Sequence, residues 1–325
     1  MTHPTQRHIF PLAAGLLAGL LASCISSSDS SEKFLPGGWT KLREAPGEFL
    51  SGVDFVNDTA GWVSGWSQAS GGFVLRTQDG GLTWDTTVLQ GNSLESIHFW
   101  DKNTGWVVGE GGSIFKTTDG GATWVAKNSG VETKLRGMDF VSALTGWVVG
   151  DEGTLLKTTD GGDSWVGQYD SSLPYLSDVH FFNASTGIAV GHSVLRTTDG
   201  GAHWAAQTVT WADSEMFNYI DAVSFSDDKN GWAGGSFGNF LRTTDGGKTW
   251  TDEILLYDAY VTDVWKLGSG RGFMTRGNTL FGTTDDGKTW EGLEGAGQHL
   301  VFLGRNHGWA VGDYGKVYAY APLSP

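Results

Sequence analysis

The chain of 325 residues has one cysteine, seven prolines, and no apolar run longer than about 15 residues. A lone cysteine excludes a disulfide framework, the usual support of a small exported fold. So few prolines exclude collagen-like or proline-rich order. Basic residues are also scarce, with 21 Lys and Arg against 36 Asp and Glu and a formal net charge of −15. Such a surface repels phosphate backbones, so no nucleic-acid partner is expected. No 3.6-residue apolar period persists, which argues against a helical protein. Glycine (50), tryptophan (16) and phenylalanine (17) are abundant, pointing to tight turns and a ring-rich core.

The apolar run, "IFPLAAGLLAGLLAS" (9–23), follows Arg7 and His8 and ends at Cys24. It is too short to cross a bilayer of about 30 Å as a helix but suits a secretory signal. "LASC" (21–24) resembles a bacterial lipobox, which makes Cys24 the expected lipidation site. Residues 1–23 then read as a lipoprotein signal peptide and 24–36, with "ISSSDSSEK", as a Ser-rich tether. The expectation is an exported protein held at a membrane by an N-terminal lipid. It would face the periplasm or the cell surface, at the outer membrane if the cell has one, since Ile25 rather than Asp follows the cysteine.

Self-similarity dominates the remainder. "RTQDGGLTW" ends at Trp84, "KTTDGGATW" at Trp124 and "KTTDGGDSW" at Trp165, followed by "RTTDGGAHW" at Trp204, "RTTDGGKTW" at Trp250 and "GTTDDGKTW" at Trp290. A "GWVVG"-like element recurs in step, with glycines at 61, 105, 146, 187, 231, 272 and 308. The period of about 41 residues is that of a four-stranded propeller blade. Each unit parses as an apolar-x-apolar strand, the "GW" strand, a "SIFKTT"-like strand and a strand opening at the box tryptophan. Seven "GW" elements but six "DGG" turns imply a composite last blade. "PGGW" (36–39) is the remnant of the missing turn, and residues 39–43 are the outer strand of the blade whose inner three strands lie in 298–320. The fold class is therefore all-β, a seven-bladed propeller over 37–321 closed by an N-terminal strand, with Gly37 close to Ala321.

The nine-residue turn carries a carboxylate and a glycine loop, yet a feature used six times around a ring is architecture. It matches the Asp-box pattern: Asp79, Asp119, Asp160, Asp199, Asp245 and Asp285 accept hydrogen bonds across their own turns. Asp286 in place of the first glycine, with Gly287 kept, suggests that only the second glycine requires a positive φ. The box tryptophans pack between blades. Arg76, Lys116, Lys157, Arg196 and Arg242 share one repeat position and form a structural set.

In an up-and-down meander the Asp boxes and the first-to-second-strand loops share one face. Blade-specific variation collects on the other, where loops on a rigid scaffold commonly bind ligands. The candidate binding face there comprises Trp66, Glu110, Asp151, Glu152, His192, Trp211, Phe237, Arg276, Asp313 and Tyr314, an acidic and aromatic-edged mouth suited to a cationic or protein ligand. His192 has no second histidine at ligand spacing, which argues against zinc; calcium among Glu110, Asp151 and Asp313 is the alternative, and the expectation is no metal and no cofactor.

"GWVVGEGGSIFKTTDGGATW" (105–124) resembles the repeat of the photosystem II stability/assembly factor-like propellers, a BNR/Asp-box family. The resemblance runs through all seven units. It implies a non-catalytic, membrane-associated scaffold that binds other proteins. The family's protein contact is linked to an arginine-rich surface, whereas the non-repeat arginines here (Arg43, Arg136, Arg271, Arg276, Arg305) are few and scattered. Asp boxes also mark sialidases and glucan hydrolases. The chain has no Arg-Ile-Pro and no evident arginine triad, but Asp151 and Asp313 keep a two-carboxylate hydrolase as an alternative. Glycan binding through Trp66 and Trp211 is another. The N-terminal reading is tested by metabolic labelling with an alkyne fatty acid: the wild-type protein should take up label and Cys24→Ala should not. Equal labelling of both would refute lipidation at this residue.

Overall fold

The computed structural model describes residues 37–322, apart from 90, 169–174, 213–218, 254–259, 269, 296 and 305–306. Cys24, the signal sequence, the tether and Arg305 lie outside the described residues. Seven sheets, antiparallel but for one parallel edge strand in the fifth, form a ring, and the described residues contain no α-helix. Six sheets have four strands and the fifth blade has five. The innermost strands run Glu48–Phe55, Leu94–Phe99, Leu135–Phe140, Leu176–Phe181, Ile220–Phe225, Val261–Lys266 and His299–Leu303, each packed against the next, with the last closing on the first.

The seventh blade is composite, as its missing turn implied. Gly37–Arg43 is its outer strand, pairing Gly38 with Ala321 and Trp39 with Tyr320. The ring therefore closes through backbone hydrogen bonds and leaves no open sheet edge at the seam. Trp39 meets the Phe302 ring edge-on at 5.9 Å and 88°. That is the contact made by Trp124 with Phe99 and by Trp204 with Phe181, so "PGGW" is the remnant of an Asp box.

One contact repeats between blades. At four of the seven junctions the "GW" tryptophan stacks on the phenylalanine ending the first strand of the next blade: Trp62 on Phe99 at 3.5 Å, Trp106 on Phe140 at 3.8 Å, Trp147 on Phe181 at 3.5 Å and Trp309 on Phe55 at 3.6 Å, and Phe273 takes the same place on Phe302 at 4.3 Å. The indole N–H then donates to the next blade's Asp box, Trp62 to Gly120 O at 2.8 Å and Trp147 to Gly200 O at 2.9 Å. The glycine of "GW" exists for the same ring: a Cβ on Gly105 would come within 2.6 Å of Phe99 and one on Gly146 within 2.4 Å of Phe140. At the junction of blades five and six, Lys266 replaces the phenylalanine. Its Nζ lies 4.1 Å from the Trp232 ring centroid and is paired with Asp286, which also binds Arg242. The substitutions at 266 and 286 are two halves of one exchange, a stack traded for a cation over the ring with its counter-ion.

Within each box the first threonine is the hinge. Thr117 Oγ1–H donates to Asp119 Oδ1 at 2.8 Å while its oxygen accepts the Gly121 N–H, also at 2.8 Å. Thr123 closes the turn with its N–H to Oδ1 and its hydroxyl to Oδ2 at 2.6 Å. These bonds, the Thr123 hydroxyl foremost, hold the Asp119 carboxyl down at about 2. His203 and Ser164 make the same closing bond to Asp199 and Asp160. The conformational expectation is corrected: both turn glycines have positive φ (Gly120 72°, Gly121 85°), and Asp286 adopts φ 66° at the first position. Aspartate tolerates that region, and Lys266 and Arg242 hold it there. The second position excludes a side chain for a different reason, since a Cβ on Gly162 would lie 2.5 Å from Trp106 Nε1 of the preceding blade. The basic set also bridges blades, Lys157 reaching Gly200 O at 3.0 Å and Lys116 reaching Asp163 at 3.1 Å.

The stack and its hydrogen bond are separable. Phe181→Ala is expected to lower unfolding free energy by about 3–5 kcal/mol. Trp147→Phe keeps a ring but loses the bond to Gly200 O and should lose about 1–2 kcal/mol. Denaturant unfolding of both variants checks the ranking, and a larger loss for Trp147→Phe would reverse it.

Candidate functional site

The Asp boxes sit against the first-to-second-strand loops, as in the 2.8 Å bond from Gly120 N–H to Asn103 O. That face is made of repeated turns. The inner strands begin at the opposite face, and their first residues surround the mouth of the central channel. A cavity of about 240 Å³ opens there, lined by Ser51, Glu95, Arg136, Tyr175, Asp221 and Gln298 among others. Beside it a second hollow of about 320 Å³ is bounded by Phe49, Trp66, Glu110, Lys134, His299 and Asp313. Ser51, Glu95, Gln298 and His299 line both, so the two form one continuous recess.

Most charge in the recess is paired. Arg136 donates to Asp151 through Nε and Nη2, at 2.6 and 3.3 Å, and its guanidinium lies 4.5 Å from the Tyr175 ring centroid. Lys134 Nζ is 2.8 Å from Glu95 and 3.8 Å from Glu110. Asp178 and Asp263 are structural, accepting the Val223 N–H at 3.0 Å and the Leu300 N–H at 2.8 Å across blade junctions. Burial pushes the Asp221 carboxyl up to about 6, with Arg136 pulling it partly back. Burial likewise pushes the Tyr175 phenol up to about 12.

Nine of the ten residues expected from sequence lie in or beside the second-to-third-strand connections of this face. Trp66 ends a long second strand, is 36 % exposed and stacks on Phe49 at 4.8 Å. Asp313 accepts from the amides of Gln298 at 3.0 Å and Asn278 at 3.2 Å, and Tyr314 beside it is 56 % exposed. Glu110, Asp151, Glu152 and Phe237 occupy the short 3₁₀ turns Glu110–Gly112, Asp151–Gly153 and Ser236–Gly238. His192 packs at 4.3 Å on Tyr219, and the Arg276 guanidinium lies 5.3 Å from the Phe281 ring. Trp211 is set apart from them at the outer edge, though at the same end of its blade, where the Ala212 N–H reaches Asp252. It follows Thr208–Thr210, a fifth strand parallel to the outer strand of blade five, and packs on the core between blades four and five. Trp66 and Trp211 therefore do not form one glycan platform. Asp151 is clamped by Arg136 and Asp313 is held by two amides. No group of three His, Cys, Asp or Glu side chains among the described residues is placed to hold a metal ion.

Sequence reasoning searched loops and missed the inner strands. Phe49, Tyr175 and Tyr219 each stand six residues before the phenylalanine that ends the strand, and Tyr260 stands six before Lys266 at the same position. Glu95, Arg136 and Asp221 stand four before. These repeat positions vary from blade to blade, and that variation was the available signal.

Three turns carry backbone strain. Glu152, Phe237 and Tyr314 have φ of 55°, 56° and 62°, where the equivalent residue of blade two is Gly111 at 65°. Non-glycine residues resist this region.

The fold and site define a class: a closed seven-bladed Asp-box propeller with one face of repeated turns and one irregular, aromatic and charged. A family model described as "Photosynthesis system II assembly factor YCF48" matches residues 37–124, 86–174 and 168–292. The chain belongs to that family. Among solved structures, YCF48 from Cyanidioschyzon merolae superposes with a TM-score of 0.71 at 19% identity, covering 89% of this chain and 100% of that one. A structure of YCF48 bound to D1 peptide gives 0.71 at 18%, covering 91% and 99%. The GH74 xyloglucanase from Xanthomonas campestris gives 0.65 at 13%, covering 89% of this chain but 54% of that one. At these identities the structural likeness shows the fold alone. A search of curated proteins finds no match.

Relieving the strain should stabilise the fold. Glu152→Gly and Phe237→Gly are each expected to raise unfolding free energy by up to about 1 kcal/mol, read by thermal unfolding. A clear loss of stability in Glu152→Gly would show that its side chain supports the turn.

Proposed function

We propose that this protein is a non-catalytic scaffold that binds a polypeptide partner on its loop-rich face, and that it is exported and anchored through a lipid on Cys24. The observation that carries the reading is the aromatic character of this face: Phe49 and Trp66 border the recess, while Tyr314, exposed, and Phe237, half-buried, stand on strained backbone in turns of the same face. Family membership supports it, and a relative with this fold is known bound to a peptide. Broad aromatic side chains on a rigid frame are the usual anchors of protein contacts.

The geometry also orients such a molecule. Gly37 enters the ring at the Asp-box end of blade seven, because its strand runs from the pairing with Pro322 toward the loop-rich face, where Ala45 N–H bonds Tyr314 O at 2.7 Å. The 13 residues from Cys24 to Gly37 reach at most about 45 Å. A lipid at Cys24 would thus attach the propeller from its Asp-box end, leaving the recess on the side away from the tether.

In a crosslinked pull-down from native cells, joint replacement of Trp66, Phe237 and Tyr314 by alanine should abolish partner recovery with the unfolding midpoint unchanged. Trp211→Ala, at the outer edge of blade five and outside the recess, should retain recovery. Undiminished recovery by the triple variant would remove this face as the site.

A further inference from the structure

We infer that the channel mouth receives a basic side chain, arginine or lysine, presented by the partner polypeptide, with the Asp221 carboxylate as its counter-ion and Tyr175 as its wall. The inference rests on the reading of the loop-rich face as a polypeptide-binding one and names what enters it.

Four carboxylates line the cavity, and three have a partner. Glu95 is paired with Lys134, while Asp178 and Asp263 accept backbone N–H groups of the next blade. Asp221 accepts no hydrogen bond from any described residue. The guanidinium that could neutralise it belongs to Arg136, which is fixed bidentately on Asp151 and stacked on Tyr175. An unpaired carboxylate withdrawn from water is destabilising unless a cation reaches it. The adjoining wall is aromatic: Tyr175 lies 6.0 Å from His192 and 6.4 Å from Tyr219. A cation entering there meets the Asp221 carboxylate beside the Tyr175 wall of the cavity, one face of whose ring Arg136 already covers. The cavity of about 240 Å³ leads outward into the aromatic-edged recess, so a side chain can enter while its main chain stays at the rim.

The titration of the site gives a signature. The ionisable and charged groups lining the same cavity are Glu95, Arg136, Tyr175, Asp178, Asp263 and His299. Burial raises the Asp221 pKa from the usual value near 4 to about 6. Between those values the folded state holds a proton that the unfolded state has released, so stability declines as pH rises and the full destabilisation is present above 6. Asp221→Asn removes the uncompensated charge. It should therefore raise the melting temperature at pH 7.5, with the gain vanishing at pH 4. A purely structural carboxylate would give the opposite sign. Cation binding needs the ionised form, so affinity should fall about tenfold from pH 7.5 to pH 5.

The test is an NMR titration of the protein with Ac-Ala-Ala-Arg-Ala-Ala-NH2, its lysine and citrulline analogues, and spermidine. The arginine or lysine peptide should bind and shift the resonances of Tyr175. The citrulline peptide should bind at least tenfold more weakly, and Asp221→Asn should lose the preference. Equal binding of citrulline, unchanged binding by Asp221→Asn, or a lower melting temperature for that variant at pH 7.5 would each overturn the proposal. Tighter binding of spermidine than of either peptide would overturn the assignment to a polypeptide. If the basic peptides fail while the Trp66, Phe237 and Tyr314 variant still loses its partner, the cation site alone is wrong. If that variant also keeps its partner, the face itself is wrong.

Discussion

The stack of a tryptophan on the next blade's phenylalanine is the constraint from which the rest of this structure follows. It sets how closely neighbouring sheets approach, as at Trp62–Phe99 and Trp147–Phe181. It forces glycine opposite the ring, because any Cβ at Gly105 or Gly146 would occupy the phenylalanine. It also aims the indole N–H at the Asp box of the following blade. Each repeat thus completes its core and its hydrogen bonding only with a neighbour, so the ring has to close. The pairing of Trp39 with Tyr320 closes it.

A ring built this way separates labour between its faces. The box face is occupied by turns whose carboxylates, hydroxyls and amides satisfy one another, leaving little chemistry to spare. The other face inherits the starts of the inner strands, where the stack imposes nothing, and side chains differ from blade to blade. Strain and unpaired charge concentrate there: Glu152, Phe237 and Tyr314 in the left-handed region and Asp221 with its raised pKa. A protein tolerates such features where ligand contact compensates them.

Much of this was legible in the sequence. Blade number, the composite last blade, the structural reading of the Asp boxes and the identity of the irregular face all followed from repeat spacing and strand alternation. The recess itself was half legible. Residues such as Trp66, Phe237 and Tyr314 stood out because they break the repeat, whereas Tyr175 and Asp221, at the starts of inner strands, drew no attention and Arg136 was noted only as a non-repeat arginine. Trp211 was misplaced because an extra strand carries it to the outer edge of blade five, and nothing in local periodicity signals a parallel fifth strand. Lys266 stands six residues before Gly272, as Phe99 does before Gly105, so spacing could have flagged the exchange, but its ion pair with Asp286 needed the tertiary structure.

By itself the sequence determined the repeat, the ring and the closure, because each is set by short-range patterns: alternation within a strand, glycine at a turn, aromatic residues at a fixed period. The tertiary structure alone decided which carboxylates are used up. Asp178, Asp221 and Asp263 occupy neighbouring positions in the same ring of strands, and only their distances to amides and cations contributed by other blades separate two structural stitches from one free charge. Pairing of charge depends on through-space contacts between residues about 40 positions apart, and those contacts exist only once the ring has closed.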